Sequence, residues 1–170
     1  MSDYWDYNVP DNGFKQRVEE LSIMVNKLDC EKNNIIEIGI WKGTSAITFS
    51  KFFKKVYSLD IVKSSVENLM SKKIENIEAL IRNEETIKLF KDDSIDVLYI
   101  DGNHTKDGVM TDLKEFYPKI KKGGYICGHD YGGIEIGVTN AVLEFFGRVP
   151  DILVTSNTCN RCSNFIYKKN

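Results

Sequence analysis

The order of apolar runs along this chain predicts an open α/β layer architecture: a doubly wound, mainly parallel, seven-stranded sheet with a closing antiparallel hairpin. Three observations carry that expectation. Short apolar runs rich in β-branched residues alternate with longer stretches of helical periodicity, the pattern of parallel strands joined by crossover helices. The last two runs follow one another with no helix between them, as the arms of a hairpin do. The length of 170 residues suits one domain able to bury a real core. A single unit over residues 1–170 is therefore expected, with an N-terminal segment and helix over 1–30.

The elements follow in order. Residues 13–28 place Phe14, Val18, Leu21, Val25 and Leu28 on one helical stripe. Strands are expected at 35–40, 56–59, 77–81, 95–100 and 125–128. Helices are expected between them at 45–53, 63–70, 85–90 and 105–120, with Pro118 ending the regular part of the last. Gly123 and Gly124 read as a turn into the fifth strand. A helix over 137–146 follows, and 152–155 pairs with 164–167 as the hairpin. There is no repeat, linker or low-complexity stretch.

Composition narrows the function classes. Lys and Arg number 23 against 25 Asp and Glu, so no nucleic-acid partner is advertised. No segment approaches the ~20 apolar residues of a bilayer span. The opening Met1-Ser2-Asp3-Tyr4-Trp5-Asp6 is acidic and aromatic, unlike a signal peptide. A cytoplasmic protein with no membrane partner is expected. Cys30 and Cys127 lie in or beside apolar runs and read as buried thiols. Cys159 and Cys162 form a Cys-x-x-Cys, but zinc wants four ligands, and the sequence offers no second pair or well-spaced histidine. No chemistry is expected of that pair.

The most informative segment is Ile35-Ile36-Glu37-Ile38-Gly39-Ile40-Trp41-Lys42-Gly43-Thr44-Ser45. An apolar strand ends in an acid, and two glycines four apart lead into a helical pattern. Glycine lets backbone approach a ligand closely, because no Cβ intervenes. The dinucleotide fingerprint Gly-x-Gly-x-x-Gly serves a pyrophosphate; here the spacing is Glu-x-Gly-x-x-x-Gly with no third glycine. An acid at that point suits a ligand with a positive charge and no phosphates. Asp60 closes the second strand about twenty residues on, where an acid binds ribose hydroxyls in nucleotide-binding units. Asp101 ends the fourth strand, followed by Asn103 and His104; His129 and Asp130 end the fifth. Both histidines of the chain thus sit after a strand and beside an Asp. A histidine can act as base on a hydroxyl, and two carboxylates on neighbouring strand ends can hold a divalent cation.

These motifs carry a resemblance. The glycine turn resembles the first motif of the class I S-adenosylmethionine-dependent methyltransferases. The succession Ile100-Asp101-Gly102-Asn103-His104, Val109, Asp112-Leu113, Gly123-Gly124, Gly128-His129-Asp130-Tyr131, Gly137-Val138, Ala141-Val142 and Glu144-Phe145 resembles the relatives with Asp-Gly-x-His and His-Asp-Tyr motifs, the macrocin O-methyltransferase type. It runs over about residues 33–147. The resemblance implies a Rossmann-like fold and S-adenosyl-L-methionine as cofactor. The turn Glu37, Gly39, Trp41, Gly43, Thr44 and Ser45 would hold its methionine part, Asp60 its ribose and Glu84 the neighbourhood of adenine, with Asp101 at the same site. Arg82-Asn83-Glu84-Glu85 departs from the common Gly-Asp-Ser there. Asp101 and Asp130 would bind Mg²⁺, and His104 or His129 would be the base. The acceptor would be a small-molecule hydroxyl, a sugar among the candidates. Its site would be open, or covered by Tyr4, Trp5 and Tyr7 or by a second copy in a homo-oligomer. A nicotinamide-dependent oxidoreductase and a non-catalytic methyltransferase-like binding protein are the alternatives.

Overall fold

The computed structural model describes residues 11–134, 136–156 and 162–170; Tyr4, Trp5, Tyr7 and Cys159 lie outside these. The chain runs α1 (Asp11–Asn26), β1 (Asn34–Ile38), α2 (Thr44–Phe49), β2 (Lys55–Asp60), α3 (Lys63–Ser71), β3 (Ile77–Ile81), α4 (Glu84–Lys88), β4 (Ile95–Ile100), α5 (Lys106–Phe116), a 3₁₀ turn (Tyr117–Lys119), β5 (Ile120–Tyr131), α6 (Ile136–Phe146), β6 (Ile152–Thr155) and β7 (Ser163–Lys168). The strands form one sheet of order β3-β2-β1-β4-β5-β7-β6. The first five are parallel, and β7 runs antiparallel to both β5 and β6. This is the doubly wound, Rossmann-like sheet with a closing hairpin that the alternation of runs predicts.

The central strands β1 and β4 are buried on both faces, which is why they read as nearly continuous apolar runs. Successive side chains point to opposite faces, so Ile35, Val56, Val97 and Tyr99 pack under α1, α2 and α3 with Leu21, Met24, Ala46, Phe49 and Val66. Ile36, Ile38, Leu98 and Ile100 pack under α5 and α6 with Val109, Leu113, Val138 and Val142. The sheet order reverses between β1 and β4. Crossovers leave that line in opposite directions, so a crevice opens at the carboxyl ends of these two strands.

Two boundaries differ from expectation. The helix α5 stops at Phe116 and the chain enters β5 at Ile120, so β5 is a 12-residue strand that runs through the glycine pair. Gly123 and Gly124 form a bulge, not a turn. The register against β4 slips from Ile95↔Ile120 to Val97↔Tyr125, Gly123 takes φ +79°, and Gly123 N–H and Gly124 C=O bond to Lys169 beyond β7. A bulge leaves the extra residues unpaired with β4 while the other edge keeps its partner. Among the described residues no helix is long and apolar enough to cross a membrane.

Candidate active site

The end of β1 turns through three left-handed residues, Gly39 (φ 95°), Trp41 (φ 45°) and Gly43 (φ 82°). For glycine this costs little, but Trp41 holds a conformation that disfavours a side chain by about 1–2 kcal/mol. Asp60, at the end of β2, holds the turn in place. Its Oδ2 accepts from the N–H groups of Ile40 (2.8 Å) and Trp41 (3.3 Å), and its Oδ1 from that of Val62 (2.8 Å). The glycines answer to neighbouring backbone and side chains. A Cβ on Gly39 would lie 2.2 Å from the Asp101 carbonyl oxygen, and one on Gly43 would lie 2.9 Å from Leu69 Cδ1. Gly39 thus lets the ends of β1 and β4 meet.

Beneath this cradle Glu37 is fully buried. It sits in register between Ser58 on β2 and Tyr99 on β4. Ser58 Oγ donates to its Oε2 (2.7 Å), and Ser45 on α2 favours its charged form. Its Oε1 has no hydrogen-bond partner among the described residues. Burial pushes its pKa up to about 7, with Ser45, Ser58 and Arg17 opposing and Asp101 adding to the rise. A buried carboxylate with an unused oxygen under a glycine turn suits the ammonium of an amino-acid ligand, so the residues present fit the methionine end of S-adenosylmethionine.

The second part of the site joins β4 and β5. His104 Nε2 lies 3.3 Å from Asp130 Oδ2 and 3.6 Å from Asp101 Oδ1. His129 Nδ1 lies 3.2 Å from Asp130 Oδ1, and its Nε2 is 3.4 Å from Cys162 Sγ and 3.7 Å from Glu20 Oε1. The His104 side chain is 37% exposed and that of His129 only 9%. His104 therefore meets solvent, whereas His129 is packed between Asp130 and Cys162. Burial works against the Asp101 charge, yet Arg17, aided by His104 and His129, holds its pKa below the ordinary carboxylate value. Ligand atoms of Asp101, His104 and Asp130 lie within 4.8 Å of one another.

The predicted residues fall into two groups. Glu37, Gly39, Trp41, Gly43, Asp60, Asp101, His104, His129 and Asp130 all gather at the carboxyl ends of β1, β2, β4 and β5. Others stand aside. Ser45 turns inward to Glu37, and Thr44 supplies its carbonyl to Thr48 Oγ1 (2.8 Å). Glu84 is exposed in the first turn of α4, which Asn83 caps by accepting from Thr86 N–H (2.9 Å). Arg82 departs from the site to pair with Asp112 (2.5 Å) and Glu115 (2.6 Å) on α5.

Sequence reading missed Arg17, Glu20 and Tyr99. Arg17 on α1 donates to Glu20 Oε1 and Tyr99 Oη (both 2.7 Å) and pairs with Asp101 Oδ2. An Arg-x-x-Glu within an amphipathic helix resembles a solvated surface pair, so nothing local signals its burial. Cys162 lacks any histidine nearby in sequence, yet pairing of β7 with β5 brings it against His129.

Comparison with known proteins agrees with this fold. Residues 36–131 match the family model described as a methyltransferase domain. A methyltransferase of Leishmania major, described as S-adenosylmethionine-dependent, superposes with TM-score 0.74 at 12% identity, covering 92% of this chain and 73% of that one. The N-methyltransferase NodS of Bradyrhizobium japonicum superposes with TM-score 0.71 at 12% identity, covering 95% and 99%. An uncharacterized protein of Acanthamoeba polyphaga mimivirus is 28% identical over 128 residues, which span 65% of this chain and 57% of that relative's length. The fold is the one these methyltransferases share. Since the family model covers more than half of its length, the chain belongs to the methyltransferase-domain family.

Proposed function

We propose that this chain, as a single methyltransferase domain, transfers the methyl group of S-adenosylmethionine to a hydroxyl oxygen of a small-molecule acceptor, with sugars the first class to test. The observation that supports an oxygen acceptor is His104: an accessible imidazole held between two carboxylates at the mouth of the cradle. The acceptor oxygen attacks the methyl carbon, the carbon–sulfur bond breaks with its pair going to sulfur, and the hydroxyl proton passes to His104. Asp101 and Asp130 orient that imidazole and stabilise the imidazolium that forms. His129, packed between Asp130 and Cys162, fixes Asp130 rather than meeting the acceptor. The protein's main contribution is alignment of donor and acceptor in line.

The same carboxylates fit a hard divalent cation. Asp101 would give Oδ1, its Oδ2 being held by Arg17, and Asp130 would give Oδ2, with His104 alongside. When bound, Mg²⁺ supplies Lewis acidity that lowers the acceptor hydroxyl's pKa. The test is transfer of a labelled methyl group from S-adenosylmethionine to a panel of sugars and small hydroxyl compounds, with and without Mg²⁺. Transfer to at least one, reduced roughly 10²–10⁴-fold in His104→Gln, is expected for a lost general base. Transfer confined to nitrogen acceptors would contradict the oxygen assignment.

A further inference from the structure

We infer that Arg17 is a ligand-binding residue: its guanidinium receives the α-carboxylate of the amino-acid end of the bound cofactor. This rests on the reading of the cradle as an S-adenosylmethionine site and adds to it a residue on α1, outside every motif considered above. The acids around the cradle suit only half of such a ligand. Glu37 beneath it and Asp101 beside it can take an α-ammonium, but an amino acid also carries a carboxylate, which those acids repel. Arg17 is the guanidinium placed among them. Its Nη2 pairs with Asp101, whose backbone abuts Gly39 closely enough that a Cβ there would meet the Asp101 carbonyl oxygen at 2.2 Å. Its charge also acts on Glu37, so the guanidinium lies at the switch between β1 and β4.

The side chain is held for this use. Nη2 donates to Tyr99 Oη at 2.7 Å, and Tyr99 Oη in turn donates to Asn164 Oδ1 at 3.0 Å on β7. Nη1 donates to Glu20 Oε1 at 2.7 Å. These bonds use three of the five guanidinium N–H groups, and the side chain keeps 15% of its surface exposed. Both Nη2 hydrogens are taken, so the remaining donors are one Nη1–H and the Nε–H, either of which can give a single charge-assisted bond to a carboxylate oxygen. A purely structural arginine would serve equally well with no ligand at all, so the test must depend on the carboxylate itself.

Calorimetry with S-adenosylhomocysteine and with its decarboxylated analogue, which keeps the amine and loses only the carboxylate, separates the two roles. The parent should bind S-adenosylhomocysteine about tenfold or more tightly than the analogue, as loss of a charge-assisted bond requires. Arg17→Gln should bring that ratio close to one. Arg17→Lys, which keeps a positive charge against Asp101 but lacks the spare Nη1–H and Nε–H donors, should give an intermediate ratio, and it carries the same comparison if the Gln variant loses its fold. A ratio unchanged in both variants overturns the proposal and leaves Arg17 a structural partner of Asp101. If the parent binds neither compound, the cofactor reading itself fails and this inference with it; binding of both with equal affinity by the parent overturns the inference alone.

Discussion

Replacing Asp60 by Ala separates two jobs that one carboxylate performs. A carboxylate offers about four lone-pair sites. Ile40, Trp41 and Val62 N–H groups occupy three of them, which leaves a single site, on Oδ1, for a ribose hydroxyl. The variant should therefore lose more than a ribose contact. Without the bonds to Ile40 and Trp41, nothing from β2 holds the left-handed Trp41 in place, so the raw loss of affinity for S-adenosylhomocysteine mixes ligand contact with cradle disorder. A cycle with deoxy ligands isolates the former. One hydrogen bond to a charged acceptor is worth about 1.5–3 kcal/mol, or roughly 10- to 150-fold in affinity. Calorimetry of parent and Asp60→Ala with the 2′-deoxy and 3′-deoxy analogues should show that coupling for one of the two analogues and little for the other. Equal losses in both proteins for both analogues would mean that Asp60 only caps the turn. Strong coupling for both would show that Asp60 releases a backbone N–H when ligand arrives.

Further expectations follow from the same geometry. Gly39→Ala should destabilise the fold by at least about 2 kcal/mol, since it sets a Cβ against the Asp101 carbonyl at a φ that L-residues disfavour; an unchanged melting temperature would refute the contact. Glu37, lifted to about 7 by burial, binds its proton more tightly folded than unfolded. Stability should therefore fall as pH rises from the ordinary glutamate value towards 7, by a few kcal/mol at most at about 1.4 kcal/mol per unit. Glu37→Gln should remove that slope in denaturant titrations; a slope of the same size in the variant would assign it elsewhere. If the cofactor ammonium meets Glu37, binding near pH 6 should release a proton in the parent and none in the variant, read from calorimetry in buffers of different ionisation enthalpy. Activity that survives EDTA but not His104→Gln would assign the proton transfer to imidazole alone, and restoration by Mg²⁺ after chelation would assign a metal to Asp101 and Asp130.

The sheet was legible because its central strands β1 and β4 are buried on both faces, which leaves mostly apolar runs between amphipathic helices. The strand-end acids and histidines were legible for a related reason: they interrupt those runs at the point where the chain meets solvent. What stayed hidden depends on contacts between distant elements. Gly123 and Gly124 have the composition of a turn, and only pairing of β5 with β7 through Lys169 makes them a bulge. Arg17 and Glu20 look like a helix surface pair until α1 packs over β4. Cys162 gained its histidine neighbour through a strand pairing that sequence spacing does not encode.

The crevice at the ends of β1, β2 and β4 is proposed to take an adenosyl amino acid. Equilibrium calorimetry of the whole chain with S-adenosylhomocysteine and, in parallel, with NADH tests it most directly. Saturable binding of S-adenosylhomocysteine at one site per chain, with no heat from NADH, is the expected result. Binding of NADH in its place would contradict the claim, because a turn with an acid beneath it and no third glycine would then have accepted a pyrophosphate.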